Sequence, residues 1–177
     1  FLAFDEGNGQ MQFLEKYPWI PALGVSYHLG VDGISLLLVV LTTFLTPIAL
    51  LASWESITVR LKGFVALMLL LEVGTLGVFL SLDLFLFYVF WEFMLIPMYF
   101  IIGIWGGGER VYAAMKFFLY TMVGSLLMLV AIIWLGSYAA SLPGGSFTTN
   151  YLDLVVIGRG IPRDIQIWMF LAFTISF

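Results

Sequence analysis

The sequence predicts an all-α fold, a polytopic transmembrane helix bundle, on the basis of its composition and of four long apolar runs. Of the 177 residues, 62% are hydrophobic and only 10% are charged, and the mean hydropathy is +1.08. A water-soluble domain of this size has about a quarter of its residues charged, so its core could not bury this much hydrocarbon. Each apolar run reaches the length of about 20 residues that crosses a bilayer. The lipid bilayer is therefore predicted to be the solvent of most of the chain.

The chain begins with an extramembrane lead-in, residues 1–32. Its amphipathic side chains Trp19, Tyr27 and His28 are of the kind that anchors a protein at the membrane interface. Asp32 precedes the first apolar run and is suited to cap a helix that starts there. For His28 and Asp32 we favour these interfacial and capping roles over a role as ligands.

Four complete spans and one truncated span follow, and we take them with the lead-in as a single transmembrane domain, residues 1–177. They are predicted to be helices because the runs show no period-2 alternation and because a spanning segment has to satisfy its own backbone hydrogen bonds. The second and third spans meet at Asp83, where a tight turn predicts a helical hairpin. The predicted spans are residues 33–53, 63–82, 84–105 and 112–136, with the truncated span at 164–177.

The connections between the spans predict an orientation. The segment from Ser137 to Arg163 contains PGGS and two arginines, so we expect a long, solvent-exposed loop with room for an ordered excursion. The distribution of Lys and Arg mildly favours one side as cytoplasmic, which leaves the lead-in and the long loop outside. The cytoplasmic group is Arg60, Lys62, Arg110 and Lys116, and the opposite group is Lys16, Arg159 and Arg163.

Composition also excludes several classes of function. The net charge of −4 and the dispersed basic residues give no surface for nucleic acid. A chain without cysteine offers no disulfide framework, no thiolate metal site and no iron–sulfur cluster, and a single histidine, His28, makes a haem site unexpected. Any redox chemistry is therefore expected on a partner.

Two acidic residues, Glu72 and Glu92, lie inside apolar runs. A charged residue at the centre of a span costs about 2.5–3.5 kcal/mol on insertion, so retained examples usually serve transport or a buried pair. Both glutamates lie about ten residues, roughly 15 Å, from the Asp83 turn and so share one depth. If both face the inside of the bundle, burial and mutual repulsion favour protonation of at least one carboxyl group. Such a group can take up and release a proton.

Polar side chains recur at helical spacing along three spans and predict inward-facing stripes. Hydroxyl groups and trapped water along such stripes could pass protons between titratable groups. Gly74 and Gly77 in the second span would let a neighbouring helix come close. The stripes are Ser35, Thr42, Thr46 and Ser53 in the first span, Tyr88, Glu92 and Tyr99 in the third, and Tyr112, Lys116 and Tyr120 in the fourth.

Each candidate residue also has a structural alternative. Glu92 could be a carboxylate held in a fixed pair with a Lys or Tyr, although its central depth favours function. For Glu72 the two roles are balanced. Lys116 lies close to the start of its span, where snorkelling to the interface competes with a part in proton transfer.

Three runs of the sequence resemble a known family: GVSYHLGVDGISL (24–36), LFYVFWEFMLIPMYFIIGIWGG (86–107) and YAAMKFFLYT (112–121). They are similar to the antiporter-like M chain of bacterial respiratory complex I, the subunit 4 type. The resemblance implies a fragment of a fourteen-helix subunit, with the complete spans as helices 3 to 6 and the truncated span as the start of helix 7. Glu92 then matches the key glutamate of helix 5, Lys116 matches the lysine of the KFFLYT motif, and Glu72 is a further candidate.

The resemblance also implies a function, that of a proton-translocating, non-redox subunit of NADH:quinone oxidoreductase in the bacterial inner (plasma) membrane. In this family the glutamate pairs with a lysine of helix 7, which is expected after Phe177. FMN, iron–sulfur clusters and quinone would be bound by partner subunits and not by this chain, and the neighbouring subunits would be the antiporter-like L and N chains. The alternatives are a subunit of a multi-chain cation/proton antiporter or membrane-bound hydrogenase, and a purely structural role in helix association.

Overall fold

The computed structural model describes residues 3–5 and 7–176 of the chain. This part contains six α-helices, one β-hairpin and a 3-10 helix, Pro21–Leu23, between the two strands of the hairpin. The helices are α1 (Gly33–Ala52), α2 (Leu61–Leu80), α3 (Leu84–Trp105), α4 (Arg110–Ser141), α5 (Tyr151–Gly158) and α6 (Arg163–Ser176), and the strands are β1 (Gln12–Ile20) and β2 (Val25–Val31). Helices α1 to α4 are each long and apolar enough to cross a bilayer, which confirms the predicted polytopic helical fold. Phe177, in the predicted truncated span, lies outside the described residues, as do residues 1, 2 and 6 of the lead-in.

The chain divides into two compact units, which are described separately below. The helical unit contains α1, α2, most of α3 and the start of α4. The hairpin unit contains most of β1 and β2, the start of α3, most of α4, and α5 and α6. In residue numbers, the helical unit is 1–12, 31–80 and 90–120, and the hairpin unit is 13–30, 81–89 and 121–177.

In the helical unit, α1 begins at a reciprocal cap formed by Asp32 and Ser35. The amide of Ser35 donates to Asp32 Oδ1 at 2.7 Å, and the amide of Asp32 donates to Ser35 Oγ at 2.9 Å. The two hydrogen bonds give acceptors to two backbone amides that would otherwise have none at the start of the helix. The hydrogen bond from the Ser35 amide lowers the pKa of the Asp32 carboxyl group from its ordinary value. The capping role predicted for Asp32 is confirmed.

Helices α2 and α3 form an antiparallel pair in the helical unit, as the short turn between them predicts. Close to the turn, Gly77 lies against the Phe90 ring. At the far end, the rings of Phe64 and Trp105 meet edge to face with centroids 5.4 Å apart. Trp105 Nε1 also donates to the carbonyl of Val59 at 2.8 Å. Contacts at both ends therefore fix the register in which the two acidic helices pack.

The β-hairpin is an element that the sequence interpretation missed, since residues 1–32 were predicted only as a lead-in. In β2 the small and polar residues Ser26, His28 and Gly30 are buried, whereas β1 is almost wholly exposed. Hydropathy does not reveal this alternation, because Val25 is the one clearly apolar residue among the buried positions of β2. The prediction of His28 as an interfacial anchor was wrong: its side chain is only 4% exposed.

In the hairpin unit, the carboxylate of Asp83 is fully buried and accepts five hydrogen bonds. Oδ1 accepts from the amides of Phe85 and Leu86 at 3.0 and 3.3 Å, which caps α3. Oδ1 also accepts from the Thr149 hydroxyl at 2.8 Å. Oδ2 accepts from the amide and hydroxyl of Ser26 at 3.0 and 3.3 Å. One side chain thus ties the hairpin, the start of α3 and the segment before α5 together.

The turn before α3 behaves as a short strand inserted beside the hairpin. The amide of Leu82 donates to the carbonyl of His28 at 2.8 Å, and Tyr151 donates to the carbonyl of Leu82 at 2.9 Å. Isolated bridges pair Leu29 with Ser81 and Asp83 with Asn150. Backbone bonds on both edges explain how this buried segment avoids unsatisfied amides.

Helix α4 continues to Ser141, beyond the predicted end of the fourth span at 136, so the following loop begins later than Ser137. The rings of Trp134 and Tyr138 stack at 5.2 Å across this extension. The loop contains the short helix α5, which is capped by Asn150. The side chain of Asn150 accepts from the amide of Leu152 at 3.0 Å.

We predict that Asp83→Ala destabilises the hairpin unit by about 3 kcal/mol or more, because buried donors lose a charged acceptor. The measurement is amide hydrogen exchange at Phe85 and Leu86 in the full-length protein, where protection should fall. The matched control is Glu55→Ala, an exposed carboxylate whose loss should leave exchange unchanged. Equal protection in the two variants would contradict the role assigned to Asp83.

Candidate functional site

Glu92 is the candidate residue whose surroundings are most unusual. It lies near the middle of α3 and is half-buried. Its Oε1 atom is buried and has no hydrogen-bond partner among the described residues. A buried polar atom without a partner costs free energy and is rare in folded proteins, so it calls for a physical explanation.

The face of α3 that packs on α2 is defined by the two glycines of α2. A Cβ atom placed on Gly74 would lie 2.7 Å from Met94 Cγ and 3.2 Å from Phe93 Cδ1. A Cβ on Gly77 would fall on the Phe90 ring. The prediction that these glycines admit a neighbouring helix is therefore confirmed, and the neighbour is the helix that carries Glu92.

Glu92 lies on the opposite face of α3. It follows Phe90 by two residues, which turns its side chain by about 200° around a helix of 3.6 residues per turn. Tyr99, close to the same face as Glu92, packs its ring on Phe118 of α4 with centroids 5.7 Å apart. Its hydroxyl lies 3.6 Å from the sulfur of Met115. The Glu92 face of α3 is thus directed away from α2.

Glu72 occupies the corresponding position on α2. It precedes Gly74 by two residues, so its half-buried side chain is also turned by about 200° from the α2–α3 contact. The contacts of Gly74 and Gly77 place Thr75 level with Glu92, so Glu72 is displaced along the axis by about three residues, roughly 5 Å. The two carboxyl groups lie on opposite sides of the helix pair. The structure does not bring them together, and their mutual repulsion is not a feature of this site.

Lys116 is exposed on α4. Its Nζ lies 6.0 Å from the centroid of the Tyr112 ring, one helical turn away. The buried residue Ala114 and the packed ring of Phe118 mark a different face of α4, the one that meets α3. Lys116 and Glu92 therefore do not face each other among the described residues.

The hydroxyl stripe predicted on α1 is satisfied within its own helix. Thr42, Thr46 and Ser53 each donate to the carbonyl four residues earlier, at 2.8, 3.0 and 2.8 Å. A hydroxyl proton held by its own backbone is a weak donor to anything else. This stripe is not a proton path on its own.

Sequence reasoning missed the buried polar cluster around His28 and Asp83. Asp83 was interpreted as a turn residue, although the sequence order Asp-Leu-Phe-Leu is compatible with a helix cap. No group of three or more His, Cys, Asp or Glu side chains within residues 3–5 and 7–176 could hold a metal ion.

The fold and the buried acid together define a class, the polytopic membrane proteins with a carboxyl group inside a spanning helix. A family model described as the membrane part of NADH:quinone oxidoreductase and Mrp antiporters matches residues 81–177. A second, described as the amino terminus of NADH-ubiquinone oxidoreductase chain 4, matches residues 10–78. The chain belongs to this NADH:quinone oxidoreductase and Mrp antiporter family.

Curated relatives confirm the resemblance to the M chain. The chain is 48% identical to NADH-quinone oxidoreductase subunit M of Rhodobacter capsulatus, over 99% of its own length and 34% of that protein. It is 43% identical to subunit M of Rickettsia prowazekii, over 99% of its length and 35% of that protein. The chain thus spans about a third of the relatives it matches. With its relatives, it is a multi-pass protein of the bacterial inner membrane.

Solved structures share the fold. Respiratory complex I from Thermus thermophilus with bound NADH contains a chain that superposes with a TM-score of 0.76 at 34% identity, covering 93% of this chain and 32% of that one. The Mrp complex from Dietzia gives a TM-score of 0.74 at 22% identity, covering 92% and 18%. The second likeness shows the fold alone.

We predict that Gly77→Ala destabilises the α2–α3 pair by about 1–3 kcal/mol, because the new methyl group would overlap the Phe90 ring. The control is Gly63→Ala in the same helix, where the nearest atom, Trp105 Cη2, is 3.8 Å away and the gain in helix propensity of about 1 kcal/mol should prevail. The midpoint of heat-induced unfolding of the full-length protein distinguishes the two. A Gly77→Ala variant as stable as the control would contradict the close packing.

Proposed function

We propose that the chain is part of a proton-translocating membrane subunit of an NADH:quinone oxidoreductase and that Glu92 carries the proton. Family membership and the relatives named NADH-quinone oxidoreductase subunit M support the complex. The single observation that supports Glu92 is its buried Oε1 atom without a hydrogen-bond partner.

The chemistry follows from what a carboxyl group needs at membrane depth. An ionised carboxylate in a spanning helix requires a nearby cation or several donors, whereas a protonated carboxyl group requires neither. Among the described residues, Oε1 of Glu92 has no donor. In this proposal Glu92 binds a proton in that setting and releases it when a cation comes near.

The cation belongs to a segment of the subunit other than those described. Lys116 is turned away from the α3 contact, so it does not pair with Glu92 in this arrangement. The family resemblance supplies a candidate, the lysine of helix 7. In this proposal Lys116 and Glu72 serve further proton-transfer steps on other sides of the bundle.

The subunit is proposed to work without a cofactor of its own. A chain without cysteine has no thiolate for an iron–sulfur cluster. FMN, iron–sulfur clusters and quinone would be held by partner subunits, and the antiporter-like L and N chains would be its neighbours in the membrane. The enzymatic contribution of this chain is then translocation coupled to distant electron transfer.

We predict that Glu92→Gln in the assembled complex reduces quinone-linked proton pumping to background, because a carboxamide cannot exchange the proton. NADH oxidation by an artificial acceptor should be unaffected, since it does not involve the membrane subunit. The measurement is acidification or alkalinisation of proteoliposomes, with Glu109→Gln, an exposed glutamate, as the matched control.

Normal pumping by an assembled Glu92→Gln complex would reject the role of Glu92 as proton carrier. Pumping that depends on sodium ions in the unaltered complex would instead favour a cation/proton antiporter. The two outcomes are distinguishable because the first compares variants and the second compares ions.

A further inference from the structure

His28 in β2 is a buried histidine that the proposed proton path does not use. Its side chain is 4% exposed, and its Nδ1 atom is buried without a hydrogen-bond partner among the described residues. The backbone around it is firmly held, because its carbonyl accepts from the amide of Leu82 at 2.8 Å. A neutral imidazole can leave one nitrogen without a donor, whereas an imidazolium requires acceptors for both N–H groups.

Charged groups surround this imidazole from three elements of the hairpin unit. Lys16 lies on β1, Asp83 at the start of α3 and Asp153 on α5. Burial, and then the charge of Lys16, lower the pKa of His28 below its ordinary value of 6.5, while Asp83 and Asp153 oppose this shift. The neutral form is thus the one that fits the closed structure.

Water can approach this cluster through a cavity of about 420 Å³. The cavity is lined by Lys16 and Asp153, two of the groups that act on His28, and by Ser26 and Asn150, which belong to the network around Asp83. A proton therefore has an aqueous approach to the neighbourhood of a buried imidazole.

The position of His28 couples its charge to the attachment of the hairpin. Ser26, two residues earlier, gives both its amide and its hydroxyl to Asp83. Leu29, the next residue, forms the bridge with Ser81. Among the described residues, the lining of the cavity does not include His28. Because β2 is also held on both sides of His28, an imidazolium would gain water or new acceptors by the opening of these bonds.

We propose that His28 is a proton-binding site of the hairpin unit and that its protonation releases β2 from residues 81–83. The ligand is the proton itself. The released segment includes Asp83, which caps the helix that carries Glu92. Protonation of His28 at acidic pH would therefore loosen the start of that helix. The proposal does not depend on proton transfer by Glu92.

The sign of the pH dependence follows from linkage. The opened state has the ordinary histidine value and binds protons at higher pH than the closed state, whose pKa is lowered. Closure is therefore fully stable above pH 6.5, and that stability is lost as the pH falls toward the lowered pKa. Within this window the opening equilibrium constant rises by up to about tenfold per pH unit.

The test is amide hydrogen exchange in the intact full-length complex between about pH 7.5 and pH 5.5, a range that brackets the ordinary histidine value. Rates are corrected for the intrinsic pH dependence of exchange. We expect Ser26, Leu82, Phe85 and Leu86 to lose protection at the acidic end. His28→Gln, which stays neutral, should remove this response.

A second pair of variants keeps the test decisive if His28→Gln fails to assemble. Lys16→Gln removes a cation that lowers the pKa of His28 in the closed state. The closed and opened values then lie closer together, so the loss of protection at acidic pH should become smaller. Glu15→Gln, an exposed neighbour on the same strand, should leave the transition in place. The proposal is overturned if the unaltered protein shows no response, if His28→Gln retains it, or if Lys16→Gln and Glu15→Gln behave alike.

Discussion

The requirement that every buried polar group find a hydrogen-bond partner governs this structure, because neither lipid nor a packed core offers one. Asp83 meets this requirement, because its side chain accepts five hydrogen bonds. Through these bonds Asp83 holds three segments of the hairpin unit together. The hydroxyls of α1 meet the requirement within their own helix.

Glu92 and His28 are the two described residues with a buried side-chain atom that breaks this rule. Both are ionisable residue types, and the ionised form of such a side chain requires more hydrogen-bond partners than the neutral form does. Asp83 provides the contrast, because its two carboxyl oxygens accept five hydrogen bonds, whereas Oε1 of Glu92 accepts none among the described residues. The two acids thus differ in their hydrogen bonds.

The orientation of the candidate groups is the main departure from what the sequence suggested. Close packing of Gly74 and Gly77 on α3 turns Glu72 and Glu92 to opposite sides of the helix pair. Lys116 lies on an exposed face of α4. The chain spans about a third of the length of such relatives.

The sequence by itself determined the membrane class, the number of long spans, the α2–α3 hairpin, the cap at Asp32 and the family, because hydropathy, helix capping and contiguous motifs are local properties of the chain. It also located Glu92, since an acid in an apolar run is visible without a structure. Tertiary structure alone decided the β-hairpin, the burial of His28, the five bonds to Asp83 and the faces on which the acids lie. These features depend on contacts between segments that are distant in sequence, such as Ser26 with Asp83 and Asp83 with Thr149. Local composition does not indicate which distant donor will bind a buried group.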